Sequence, residues 1–68
     1  MELSARNQLQ GTVKSVTLGT IMAEVVVDMN GQDVVSAITR GSAERLGLAA
    51  GRPVTVVFKA TEVMLATD

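Results

Sequence analysis

The sequence predicts an all-β domain: a small five-stranded OB-type Greek-key barrel with one short helix between strands 3 and 4. Three observations carry that expectation. Residues 21–30 alternate apolar and polar positions with the period of two that a half-buried strand requires. Asn30-Gly31 follows at once, and this dipeptide suits the positive φ values of a two-residue hairpin turn. After the returning strand the pattern changes to a short helical segment closed by a glycine, then alternates again. Three strands, a helix and two strands is the order of an OB-type barrel. A small open meander packed against other subunits is the alternative with the same element order.

Each element has its own warrant. Leu9 to Leu18 is rich in Val and Thr and interleaves polar with apolar positions, which favours a strand. Val13 and Val16 are three apart, so the alternation slips; with Gly11 nearby, a bulge or strong bend is expected. Gly19-Thr20 is a turn. In the second strand, Ile21, Ala23, Val25, Val27 and Met29 share one face, and Met22, Glu24, Val26, Asp28 and Asn30 the other. Gln32 to Thr39 is the third strand, with Val34, Ala37 and Ile38 as core. In residues 40–48, Ser42 is a good N-cap and Glu44 suits the first turn. Gly47 fits the left-handed position that ends a helix, and Leu46 and Leu48 would anchor it. Ala49 to Pro53 is a turn. Val54 to Ala60 is the fourth strand, with Val54, Val56 and Phe58 on one face. Thr61-Glu62 connects to a short apolar fifth strand, Val63 to Thr67.

Composition narrows the function classes. Sixty-eight residues make one domain, 1–68, too small to bury a large fraction of its surface. No Cys is present, so neither a disulfide nor a thiolate metal site can support it; no His is present either, which removes the usual zinc ligands and the usual general base. Support from partner subunits remains, and 47% hydrophobic residues is a high share for a lone domain of this size. Six basic and seven acidic residues give a net charge of −1, far from the basic field that nucleic acids require. A single aromatic, Phe58, removes the stacking platforms of single-strand binders. No apolar run is long enough to span a membrane, and no charged segment followed by an apolar one marks a signal peptide, so a cytoplasmic location is expected. Catalysis is not expected: there is no Gly-rich phosphate loop, Gly41-Ser42 lacks the flanks of a nucleophile elbow, and Glu24 with Asp28 reads as a solvated strand face.

The densest run of hydrogen-bond donors is Ser4-Ala5-Arg6-Asn7-Gln8, just before the first apolar run. An arm of this kind is ordinarily polar because it is solvated. Further donors are Thr39 and Ser42 at the helix entrance and Lys59 near the end of the fourth strand. Taken singly, Thr39 and Ser42 read as helix caps and Lys59 as a solvated lysine. Taken together, they could grip an oxyanion, with free N–H groups of the helix entrance assisting.

Four segments resemble one family in order and spacing across nearly the whole chain: S-A-R-N-Q-L-Q-G-T-V at 4–13, I-T-R-G-S-A-E-R-L-G-L at 38–48, A-G-R-P-V at 50–54 and F-K-A-T-E-V at 58–63. The chain resembles the molbindin, or Mop-type, molybdate-binding domains. The resemblance implies an OB-like fold, a homo-oligomer that is typically a hexamer built as a trimer of dimers, and molybdate bound between subunits. Tungstate, which matches molybdate in charge and nearly in size, is expected to bind as an analogue, and the resemblance also implies molybdenum storage or homeostasis as the role. Carried over by position, it puts Ser4, Arg6, Thr39, Ser42 and Lys59 at the interface site. A second oxyanion site that relies on backbone N–H groups would fall near Gly19, Thr20, Ile21 and Met22. No residue is implied as a direct ligand of a metal cation. Where the family ends its last motif K-A-S, Lys59-Ala60-Thr61 keeps the hydroxyl. The terminal position of the arm adds the expectation that it reaches its site across a subunit boundary, so that Arg6 and Lys59 of one pocket come from different chains. An OB-type nucleic-acid-binding module and a purely structural oligomer are the rival readings.

Overall fold

In the computed structural model, which describes residues 2–68, the chain runs through β1 (Asn7–Leu18), β2 (Met22–Met29), β3 (Gln32–Thr39), α1 (Arg40–Arg45) and β4 (Pro53–Phe58), then a single 3₁₀ turn at Ala60–Glu62. The strands form one open antiparallel sheet in the order β3-β2-β1-β4. Three consecutive strands with the fourth returning beside the first is Greek-key connectivity. Buried Val13, Val25 and Val27 are the heart of the core, with Val16, Met29, Ile38, Leu48, Val54 and Val56 packed around them. No described helix is long and apolar enough to cross a membrane.

The hairpin forms as its dipeptide dictates. Asn30 has φ 54° and Gly31 φ 89°, the paired positive values of a type I′ turn, and Asp28 Oδ1 accepts from the Gly31 N–H at 2.9 Å. The slip in β1 is a bulge at Lys14: Val13 pairs with Val27 and Ser15 with Val26, leaving Lys14 unopposed. The extra residue resets the phase so that Val13 and Val16 both face the core. Lys14 projects outward and donates to both carboxylate oxygens of Asp33, at 3.2 and 3.0 Å. Gly11 has a separate role. A Cβ there would come within 2.6 Å of Val27 Cγ1, so glycine permits the close approach of β1 to β2.

Several expectations need correction. Val63 to Thr67 is not a strand within the chain. The 3₁₀ turn leads the backbone off β4, and the segment finds no sheet partner; Met64 and Leu65 are 92% and 91% exposed. The sheet therefore has four strands and does not close as a five-stranded barrel. β1 begins at Asn7, not Leu9, because Asn7 and Gln8 pair with Phe58 and Val57. Ile21 lies outside β2 and is 73% exposed, since the Gly19 N–H bonds Met22 O and closes a turn over it. Ala37 points outward, because Val34, Ser36 and Ile38 take the inward phase of β3.

The helix begins earlier than its predicted cap. Thr39, extended at φ −70° and ψ 148°, is the N-cap, and its side chain accepts from the Ser42 N–H. Glu44 consequently falls beyond the first turn and pairs with Arg40 at 3.6 Å. At the other end Gly47 is left-handed, with φ 64°; its N–H donates to Glu44 O and the Leu48 N–H to Ala43 O. This Schellman closure puts Leu48 on the core and leaves Leu46 58% exposed, so only one of the two leucines anchors α1.

Candidate functional site

Pairing of β1 with β4 assembles the first group of donors. Asn7 opposite Phe58 is the outermost pair of that ladder, so the residues beyond it, Arg6 and Lys59, flank the same sheet end. Ser4, Ala5 and Arg6 face Lys59, Ala60 and Thr61 across an open cleft of about 390 Å³. The arm is tied down locally: Gln8 Nε2 donates to Ala5 O at 2.6 Å. Asn7 and Gln8 are half-buried strand residues and do not line the cleft. The cleft offers one guanidinium, one ammonium and two hydroxyls, and no carboxylate among its lining residues. Arg and Lys only donate, and hydroxyls can rotate to donate. Thr61 belongs to this set and was not among the candidates. Its signal was the hydroxyl retained in Lys59-Ala60-Thr61.

Thr39 and Ser42 form the second group. Thr39 Oγ1 donates to Ser42 Oγ at 2.8 Å while accepting from the Ser42 N–H at 3.1 Å. That arrangement leaves the Ser42 hydroxyl proton free to point outward, polarised by the bond that its oxygen accepts. Gly41 beside it is exposed, and a Cβ there would meet nothing within 4 Å, so the helix entrance is open to approach.

The two groups do not meet within one chain. Thr39 pairs with Met22, whose neighbour Ala23 pairs with Leu18, at the C-terminal end of β1. Arg6 and Lys59 lie beyond the N-terminal end of the same strand. β1 is 12 residues long, on the order of 35 Å at the rise of an extended strand. The chain therefore carries two donor sets at opposite ends of one strand. Arg6 and Lys59, expected from different chains, line one cleft of a single chain, apart from the helix entrance.

Gly19 to Met22 forms a tight turn beside the helix entrance. Its Gly19 N–H is committed to Met22 O at 2.8 Å, Ile21 O accepts from the Arg40 N–H at 2.7 Å, and Gly19 O accepts from Arg40 Nη1 at 3.3 Å. Gly19 thus has no free N–H for a ligand, while Arg40 brings a cation to the turn. No group of His, Cys, Asp and Glu among the described residues could hold a metal ion.

The TOBE domain family model matches residues 3–65. Molybdenum-pterin-binding protein 3 of Clostridium pasteurianum is 47% identical over 66 residues, covering 96% of this chain and 97% of that protein. The solved structure of a molybdate-binding protein from Sporomusa ovata superposes with a TM-score of 0.93 at 43% identity, covering 98% of this chain and all of the other. MopII from Clostridium pasteurianum superposes at 0.89 with 40% identity over 97% of this chain and all of that one. With its Greek-key sheet, its donor-lined cleft and relatives matched along almost their whole length, the chain belongs to the TOBE domain family, among the Mop-type molybdenum-pterin-binding proteins.

Proposed function

We propose that this chain binds molybdate in a pocket assembled between subunits. Ser4, Arg6, Lys59 and Thr61 of one copy would face Thr39 and Ser42 of another, and the role would be intracellular molybdenum storage. The observation that carries this reading is the placing of two donor sets at opposite ends of β1, each without a carboxylate among the residues that form it. Neither set surrounds a tetrahedral ion alone, and two copies brought end to end would complete one another. The proposed assembly is the hexameric trimer of dimers implied by the family resemblance. Gly19 to Met22, with Arg40 against it, is proposed as a weaker second oxyanion contact through the N–H groups of Thr20 and Ile21.

The chemistry follows from the ligand's protonation. Molybdate at neutral pH is an unprotonated dianion, so each oxygen accepts and a donor-only pocket satisfies it. Arg6 and Lys59 bring its charge close to neutrality, which limits the cost of burying it. Phosphate carries a proton that needs an acceptor. Leaving that group unpaired costs about 1–3 kcal/mol, roughly tenfold to a hundredfold in affinity. Tungstate has the same charge and nearly the same size and should bind alike. Calorimetric titration with molybdate, tungstate, phosphate and sulfate tests the reading. Molybdate and tungstate should bind with similar affinity and phosphate at least tenfold more weakly. Absence of molybdate binding would overturn it.

A further inference from the structure

The polar side chains that line the cleft can all act as donors, but Ser4, Ala5, Arg6, Lys59, Ala60 and Thr61 each also bring a backbone carbonyl to it. A carbonyl oxygen is an acceptor with two lone pairs. Aimed at an unprotonated dianion, it repels. Aimed at a protonated anion, it takes up the proton that a donor-only pocket leaves unpaired. The direction of these carbonyls therefore decides which anions the cleft can tell apart.

Three of them are engaged elsewhere. On one wall, Lys59 O accepts from the Glu62 N–H at 2.9 Å and Ala60 O from the Val63 N–H at 3.3 Å, so the 3₁₀ turn takes up its own acceptors. On the other wall, the arm bends at Ser4 and joins the β1–β4 ladder only at Asn7. A side chain does there what the turn does opposite: Gln8 Nε2 donates to Ala5 O at 2.6 Å. Gln8 is fixed from behind, because its backbone pairs with Val57 one rung inside the ladder. It is half-buried and stands outside the lining of the cleft. Ala5 O is thus bonded to a group that the anion does not meet.

We propose that Gln8 is a positioning residue that sets the selectivity of the cleft. By holding Ala5 O it withdraws the arm's acceptor, which favours an unprotonated dianion and disfavours protonated phosphate. Gln8 touches no anion itself. Glutamine suits the task because its amide carries no titrating group and donates at any pH, whereas a carboxylate in its place could only accept. The inference rests on the anion reading proposed above.

The test compares the unaltered full chain with Gln8→Met, which keeps the length of the side chain and loses the donor, and with Gln8→Glu. Calorimetric titration with molybdate, and with inorganic phosphate in competition, gives the ratio of the two affinities. Gln8→Met should narrow that ratio by about threefold or more. A merely looser arm would weaken both anions alike, so an unchanged ratio overturns the proposal. Circular dichroism checks that each variant keeps its sheet.

Gln8→Glu adds a pH signature. Its carboxyl donates to Ala5 O only when protonated, and an ordinary glutamate titrates at about pH 4.3. Its molybdate deficit relative to the parent at the same pH should be about tenfold at pH 7.5. The deficit should shrink by about half or more at pH 5, while that of Gln8→Met stays constant; a deficit indifferent to pH overturns the proposal. A third measurement needs neither variant nor ligand. In the unaltered protein the Gln8 side-chain proton that bonds Ala5 O should exchange with water about fivefold or more slowly than those of exposed Gln32; equal rates overturn the proposal. Molybdate binding with an unchanged anion ratio rejects the role of Gln8 alone. Absence of molybdate binding to the unaltered chain rejects the anion reading and this role with it, and slow Gln8 exchange then marks a structural tether only.

Discussion

Thr39 and Ser42 sit three residues apart and share two hydrogen bonds, yet their substitutions should separate cleanly. Thr39 Oγ1 caps the helix by accepting from the Ser42 backbone N–H, so Thr39→Ala should destabilise the fold by about 1 kcal/mol. Ser42→Ala keeps the backbone donor and the cap and removes only the outward hydroxyl. Its stability should stay within about 0.5 kcal/mol of the parent, while molybdate affinity falls several-fold. Urea denaturation and calorimetric titration of the two variants check both halves. The sequence assigned the cap to Ser42 because either hydroxyl residue suits that position. Which one is used depends on where β3 ends, and Thr39 is held extended by its pairing with Met22.

At the scale of elements, local chemistry was legible and distant pairing was not. Asn30-Gly31 announces its own turn, because the φ values it adopts are those few other residues tolerate. The β1 slip was visible in the spacing of Val13 and Val16. Its position at Lys14 was not, since it is set by the register against Val26 and Val27. Gly11 looked like part of the bulge and instead makes room for Val27. Gly11→Ala should cost about 1–3 kcal/mol by overpacking, measurable as a lowered urea midpoint with an unchanged m-value. The start of β1 at Asn7 and the absence of a fifth strand in the chain share a cause. A strand exists only where a neighbouring edge accepts it: β4 reaches Asn7, and no edge of the same chain receives Val63 to Thr67. The apolar pattern of 63–67 is plain in the sequence, but the pattern does not say whether any edge receives it, and in this chain none does.

For the whole molecule, the donor set was recognisable as residue types but not as a partition. Arg6 and Lys59 are over fifty positions apart in sequence, and only the last β1–β4 pair makes them neighbours. The separation of Thr39 and Ser42 from them comes from the length of β1, which no motif records. If the ligand bridges copies, occupancy and assembly stabilise each other. Molybdate at a hundredfold excess over its Kd should add about 2.7 kcal/mol of apparent stability, read as a rise in thermal midpoint that also depends on protein concentration. Arg6→Ala should reduce affinity by roughly tenfold to a hundredfold and shrink this thermal gain with it. A thermal midpoint indifferent to molybdate would contradict the coupling.

The length of β1 has a further consequence, in the manner of genetic complementation. A chain with a defective arm still has a sound helix entrance, and a chain with a defective entrance still has a sound arm. Arg6→Ala and Ser42→Ala subunits, each a poor binder in a pure assembly, should repair one another when refolded together. With random mixing, about a quarter of the junctions should regain the parental affinity, whereas a pocket made within one chain would regain none. Two weak proteins yielding a strong fraction on mixing would show that each binding site belongs to a junction and not to a subunit.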